Sequence, residues 1–94
     1  MPTKKDAKDI VLELLERGLI ACANILPAAE SYFVWEDELT KANEVIIFFK
    51  TRTRNESKII KVVRKMHPYK CPCIIFSSID YGNPEFLKWV EGEC

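Results

Sequence analysis

Five side chains in this 94-residue sequence have the chemistry of metal ligands or nucleophiles: the single histidine His67 and the cysteines Cys22, Cys71, Cys73 and Cys94. Imidazole nitrogen and thiolate sulfur suit soft and borderline cations such as copper and zinc. In Cys71-Pro72-Cys73 the thiols stand two residues apart, so on an extended strand both point to one face and can approach one soft cation. Pro72 between them makes strand pairing irregular. His67 lies beside Pro68 and serves equally well as a cap on the last carbonyls of a helix. Cys22 has the alternative of being a small buried strand residue, and Cys94 reads as a mobile, incidental terminal thiol. No Cys-x-x-Cys pair and no two-cluster zinc spacing occurs, and the thiols read as reduced.

Hydrolytic chemistry finds little support. There is no Gly-x-Ser-x-Gly elbow and no metalloprotease helix motif, and a Cys22/His67 dyad has no evident third group to orient it. An enzyme is not expected. Fourteen basic and fourteen acidic side chains cancel, which gives no electrostatic reason for nucleic acid or an anionic membrane as partner. From Lys50 to Lys65 the basic residues outnumber the lone acid Glu56, a pattern read as a solvated helix face. An RNA-recognition strand would need a basic, glycine-containing aromatic motif, and Val45–Lys50 has phenylalanines but no glycine. No apolar run reaches the ~20 residues of a membrane span, and Met1–Asp6 lacks a signal-peptide core, so a cytoplasmic location is expected.

The elements that must position these residues follow from periodicity. Thr3 and Asp6 make a capping box, and Ala7, Ile10, Val11, Leu14 and Leu15 line one face of a helix that Arg17 and Gly18 end. Ile20–Trp35 and Asn43–Lys50 read as an antiparallel hairpin turning through the polar Glu36–Lys41. Pro27 places its strand at an edge or on a bulge. A second capping box, Thr53 and Glu56, opens a helix carrying Ile59, Val62, Val63 and Met66 and stopped by Pro68. Cys73–Ser77 predicts a third strand, and Asn83-Pro84-Glu85 opens a short C-terminal helix. The order α-β-β-α-β-α is a split βαβ, ferredoxin-like arrangement with its leading, central strand missing. A single domain over residues 1–94 is expected.

The hairpin also predicts association. Tyr32-Phe33-Val34-Trp35 is apolar on both faces of a strand that Pro27 assigns to an edge, and such an edge invites pairing with another chain. Trp35, Glu36, Tyr69 and Tyr81 suit interface anchors or the lining of an inter-subunit cleft.

Five short motifs carry a resemblance. Ala21-Cys22-Ala23-Asn24-Ile25-Leu26-Pro27, Trp35-Glu36, Lys50-Thr51, His67-Pro68-Tyr69 with Pro72, and Gly82–Val90 occur in order and resemble the CutA family of divalent-cation tolerance proteins. The match runs in register from about Pro2 to about Val90. The resemblance implies an α+β, ferredoxin-like fold similar to the PII signalling proteins, and a homotrimer whose extended strands pair between subunits. It further implies a role in divalent-metal, especially copper, tolerance without an enzymatic reaction or obligatory cofactor. On that reading Cys22 and His67 are the first metal ligands, with Cys71 and Cys73 secondary. The alternative is a PII-like structural or signalling trimer that binds a small metabolite or protein partner at its inter-subunit clefts. Two departures stand out. The family's leading apolar strand is missing before Pro2, which predicts such a strand upstream, and Pro72-Cys73 replaces the family's Pro-Glu.

Overall fold

Thr3 starts the first helix as expected. Its hydroxyl accepts the Asp6 amide at 3.1 Å and donates to the Asp6 carboxylate at 2.7 Å, satisfying one of the orphan donors at the helix start. In the computed structural model, which describes residues 1–94, this helix is α1, Lys4–Glu16. Gly18 closes it at φ +68, with Leu19 N–H donating to Leu14 C=O and Gly18 N–H to Leu15 C=O. That pair of bonds is a Schellman closure, which needs the left-handed residue that glycine supplies without strain.

The hairpin pairs β1, Cys22–Trp35, with β2, Glu38–Lys50, antiparallel from Cys22↔Lys50 to Trp35↔Glu38. It is longer than the sequence pattern implied. Only Glu36 and Asp37 turn, both at positive φ, and Glu38–Lys41 belong to the strand. Two left-handed turn residues match the right-handed twist of the strands, so the ladder can begin immediately after them. The expected irregularity at Pro27 is present: the register slips between Leu26 and Ala29, with Ala28 at φ 63.

After β2 a 3-10 turn, Thr53–Asn55, leads into α2, Glu56–Met66, and α3 follows at Pro84–Glu93. The second capping box is not formed. Thr53 lies inside the 3-10 turn, and Asn55, at the cap position, makes no side-chain cap bond. Ile10 and Leu14 of α1, Leu19 and Ile20 of the connection, and Ile59 and Val63 of α2 form the buried cluster, with Ala23 and Phe49 of the hairpin packed against it. Both helices therefore cover one face of the hairpin. The core is small, with 11 of 94 residues buried, and the long axis of 45 Å is set by the hairpin.

The predicted third strand is not formed. Residues 73–77 have no ladder partner. They keep a strand-like alternation: Ile74 and Phe76 pack against the core while Ile75 is 82% exposed. In a split βαβ sheet the last strand pairs with the first. Within residues 1–94 the sheet is the two-stranded hairpin alone, and this segment stays extended but unpaired, while the Phe49 and Phe76 rings pack edge to face with centroids 5.9 Å apart.

Candidate functional site

His67 caps α2, its backbone N–H donating to Val63 C=O at 2.7 Å. One of its two ring nitrogens is engaged. Nδ1 accepts the Tyr69 backbone N–H at 3.1 Å across Pro68, and the two rings lie 4.8 Å apart. A nitrogen that accepts is unprotonated, which leaves the neutral ring's proton on Nε2. A cation at Nε2 displaces that proton to Nδ1 and breaks the Tyr69 contact. Burial holds His67 below its ordinary value of 6.5; the Met1 ammonium adds to this, and Glu44 and Asp6 oppose it.

Around this histidine lies a polar group that the sequence motifs did not single out. Glu44 is held below the usual carboxylate range by its hydrogen bond with Ser31, against the opposing effect of burial, with Tyr69 and the Met1 ammonium assisting. The ammonium lies 3.5 Å from the Glu44 carboxylate. Burial and then Glu44 push the Tyr69 hydroxyl above 10.0. The only signal in the sequence was the charge of Glu44 itself, set between Asn43 and the apolar run from Val45.

Cys22 stands elsewhere. It pairs with Lys50 at the end of the hairpin away from the turn, six residues and about 20 Å along β2 from Glu44. Cys71 and Cys73 are both exposed with Pro72 half-buried between them, as an extended segment would place them. Cys71 lines a shallow pocket of about 210 Å³ with Ile60, Arg64, Lys70, Pro72 and Ile74. Two cationic side chains at that pocket repel a free divalent cation. No three histidine, cysteine, aspartate or glutamate side chains gather into a metal-holding group. Within a single chain the donors present therefore do not fit a closed three- or four-ligand metal site.

The aromatic candidates are also spread out. Trp35 and Glu36 lie at the hairpin turn, about 20 Å along the strand from the Ala29↔Glu44 pair near Tyr69, and Tyr81 is almost wholly exposed. Leu26, Ile46 and Phe48 share the sheet face turned away from the helices, and all are exposed, as are Tyr32, Val34 and Leu39 along the arm. No helix is long and apolar enough to cross a membrane.

Comparison with known proteins gives a consistent picture. A family model described as CutA1 divalent ion tolerance protein matches residues 1–93. A CutA homolog of Xenopus laevis is 40% identical over 89 residues, 95% of this chain and 59% of that protein. The divalent-cation tolerance protein CutA of Archaeoglobus fulgidus is 38% identical over 90 residues, 96% of this chain and 87% of that protein. The chain thus spans about three fifths of the Xenopus and Danio rerio relatives, 59% of each. Among solved structures, the Cut A1 divalent cation tolerance protein of Thermus thermophilus superposes with a TM-score of 0.93 at 34% identity, covering 96% of this chain and 87% of that one. The Archaeoglobus fulgidus structure, described as a periplasmic divalent cation tolerance protein CutA, gives 0.94 at 37% identity, covering 98% and 89%.

Proposed function

The chain belongs to the CutA1 divalent ion tolerance family and carries its α+β, ferredoxin-like fold, and from that premise we propose that it acts in the response to divalent metal, copper above all, as a homotrimer. The observation that carries the proposal is the exposed apolar hairpin. Val34 is 70% and Leu39 81% exposed on an arm whose edge is unpaired. An exposed apolar edge of that kind is a template for pairing with another chain. A closed ring of three copies covers it without filament growth.

Assembly also bears on the metal. Cys22, His67, Cys71 and Cys73 do not converge within one chain, so the proposed site draws its donors from more than one copy. Cys22 and His67 would lead and the exposed Cys71 and Cys73 assist. The cation is cargo or signal in this reading, and the protein, one domain over residues 1–94, catalyses no reaction on it. A cytoplasmic location is part of the proposal, and the four unpaired thiols fit a reducing compartment; the Archaeoglobus fulgidus relative, by contrast, is described as periplasmic.

Native mass spectrometry with and without stoichiometric copper tests both halves. The expected result is a trimer that gains copper in a fixed ratio, with the gain abolished by Cys22→Ala combined with His67→Ala. A trimer whose copper uptake is unchanged in that double variant would refute the ligand assignment, and a monomer would refute the assembly. The second reading, a PII-like structural or signalling trimer that binds a small metabolite or protein partner at its inter-subunit clefts, rests on the aromatic residues of the arm and on Tyr69. It predicts a thermal shift with a metabolite in the presence of chelator.

A further inference from the structure

The fold divides the run of cations from Lys50 to Lys65. Lys50 donates to Asn24 Oδ1 at 2.6 Å, Arg52 to Glu91 C=O at 3.2 Å and Arg54 to Cys94 C=O at 2.9 Å, so these three tie the chain together. Lys61, Arg64 and Lys65 are exposed on α2, and the ion pairs of the chain include none of them. Arg17 joins them from the end of α1. With Glu13, Val62 and Met66 they line a groove of about 720 Å³ between the two helices. Glu13 is its one carboxylate, already held by Arg17 Nε at 2.6 Å. Four cations against one anion leave +3 in this groove, in a chain whose fourteen basic and fourteen acidic side chains cancel.

Stability of the helices accounts for part of this charge only. Arg64 and Lys65 lie in the last turn of α2, where a cation suits the helix dipole. Lys61 lies well inside the helix, and its like charge four residues before Lys65 weakens it. Val62 and Met66, also four residues apart, make an apolar ridge among the cations, with Met66 38% exposed. No aromatic side chain lines the groove for a base to stack on. It is open along its length, so it cannot enclose a small molecule as a closed pocket does. An apolar ridge flanked by cations instead complements an amphipathic helix whose apolar stripe is flanked by carboxylates. The helices cover one face of the hairpin, and exposed Leu26, Ile46 and Phe48 lie on the other, so the groove is separate from that apolar surface.

We propose that the groove between α1 and α2 docks an acidic amphipathic helix of another protein. Apolar side chains at i and i+4 of the partner helix seat on Val62 and Met66. Carboxylates beside that stripe meet Lys61, Arg64 and Lys65 on one side. On the other they meet the terminal guanidinium nitrogens of Arg17, which its bond to Glu13 through Nε leaves available. The charges draw the partner in and exclude basic helices, and the ridge fixes its register.

The test uses the 94-residue chain and the labelled peptide Asp-Glu-Leu-Glu-Glu-Ala-Leu-Glu-Glu-Leu-Glu-Glu, whose leucines share one helical face over about 18 Å. Anisotropy measures binding and NMR shift mapping locates it. The expected result is saturable, salt-sensitive binding with shifts centred on Arg17 and on Lys61 to Met66. Lys61→Glu with Lys65→Glu, both exposed helix positions, should weaken it about tenfold or more and gain binding of the same peptide with lysine for every acid. Lys4→Gln with Lys88→Gln, which removes two exposed cations outside the groove, should leave it unchanged. A scrambled peptide with its leucines spread round the helix should bind several-fold more weakly. Equal binding of the scrambled peptide, equal loss in the Lys4/Lys88 variant, or no binding up to millimolar peptide would each overturn the proposal. Inorganic polyphosphate that occupies the groove more tightly than the peptide, at equal charge, would overturn it too, because the site would then select phosphate and not a helix.

Discussion

Asn55 is the only buried polar residue, 5% exposed, and its substitution separates two opposing effects at one helix start. Its Nδ2 donates to Leu19 C=O at 3.2 Å, to Thr51 Oγ1 at 3.3 Å and to Cys94 C=O at 3.4 Å, tying α2 to the α1–β1 connection and to the end of α3. Two acceptors have a second donor, since Thr51 Oγ1 also reaches Leu19 C=O and Arg54 reaches Cys94 C=O at 2.9 Å. Asn55→Ala therefore removes bonds of about 0.5–1.5 kcal/mol each without leaving any of these carbonyls bare, for a cost of about 2 kcal/mol. Asn55→Asp keeps the volume but turns a carboxylate oxygen toward the same carbonyls. Charge at a helix N-terminus returns about 0.3–1 kcal/mol. Loss of the donors together with a buried, unpaired charge outweighs that gain, and about 3 kcal/mol is expected at neutral pH.

A 94-residue chain is expected to have about 5–14 kcal/mol in total, so either loss is readily seen. Urea unfolding at fixed protomer concentration measures it through the midpoint. The aspartate's pKa in the fold is raised by its surroundings, so its extra penalty is full above that raised folded value, shrinks as pH falls through it, and disappears below the unfolded value of about 3.9. Asn55→Asp should thus be less stable than Asn55→Ala at pH 7 and approach it near pH 4. An aspartate variant as stable as the alanine one at pH 7 would refute the reasoning, since the helix terminus would then outweigh the three donor contacts.

Val34→Lys with Leu39→Lys, at two strongly exposed arm positions, should leave monomer secondary structure intact and reduce trimer content at least tenfold, as read by native mass spectrometry. Gly18→Ala should cost about 1–2 kcal/mol by urea unfolding; a side chain there meets nothing within 4 Å, so the loss is backbone strain at φ +68, and Gly18→Asn should cost less. Wild-type stability should fall on acidification in two windows. His67, lowered in the fold, contributes fully above 6.5 and loses its contribution as pH falls through its folded value, and Glu44 does the same starting from 4.5. His67→Gln should flatten the upper window in a pH series of urea midpoints and leave the lower one.

Local chemistry made much of this fold readable in advance. Thr3, Gly18, Pro68 and the Asn83-Pro84 pair each act within four residues of themselves, by a cap, a left-handed residue or a missing donor, and α1 begins and ends, α2 ends and α3 begins where those residues dictate. The bulge at Pro27 was legible for the same reason. The third strand was not, because a strand is defined by its neighbour's hydrogen bonds: Cys73–Ser77 has the residues and the alternation but no partner.

The site divides the same way. Residue types alone marked His67 and the cysteines as metal-capable, and the ordered motifs marked the family. Tertiary structure decided which of them meet. It set the proton on His67 through the Tyr69 amide, surrounded that ring with Glu44 and the Met1 ammonium, and held Cys22 at the other end of β2. It also gave Asn55 its role, through acceptors 36 and 39 residues away. Sequence determines what each side chain can donate, accept or bury, because those are properties of the residue. Which partner it meets depends on distances between segments far apart in the chain, and only the packing of α1, α2 and the hairpin fixes those.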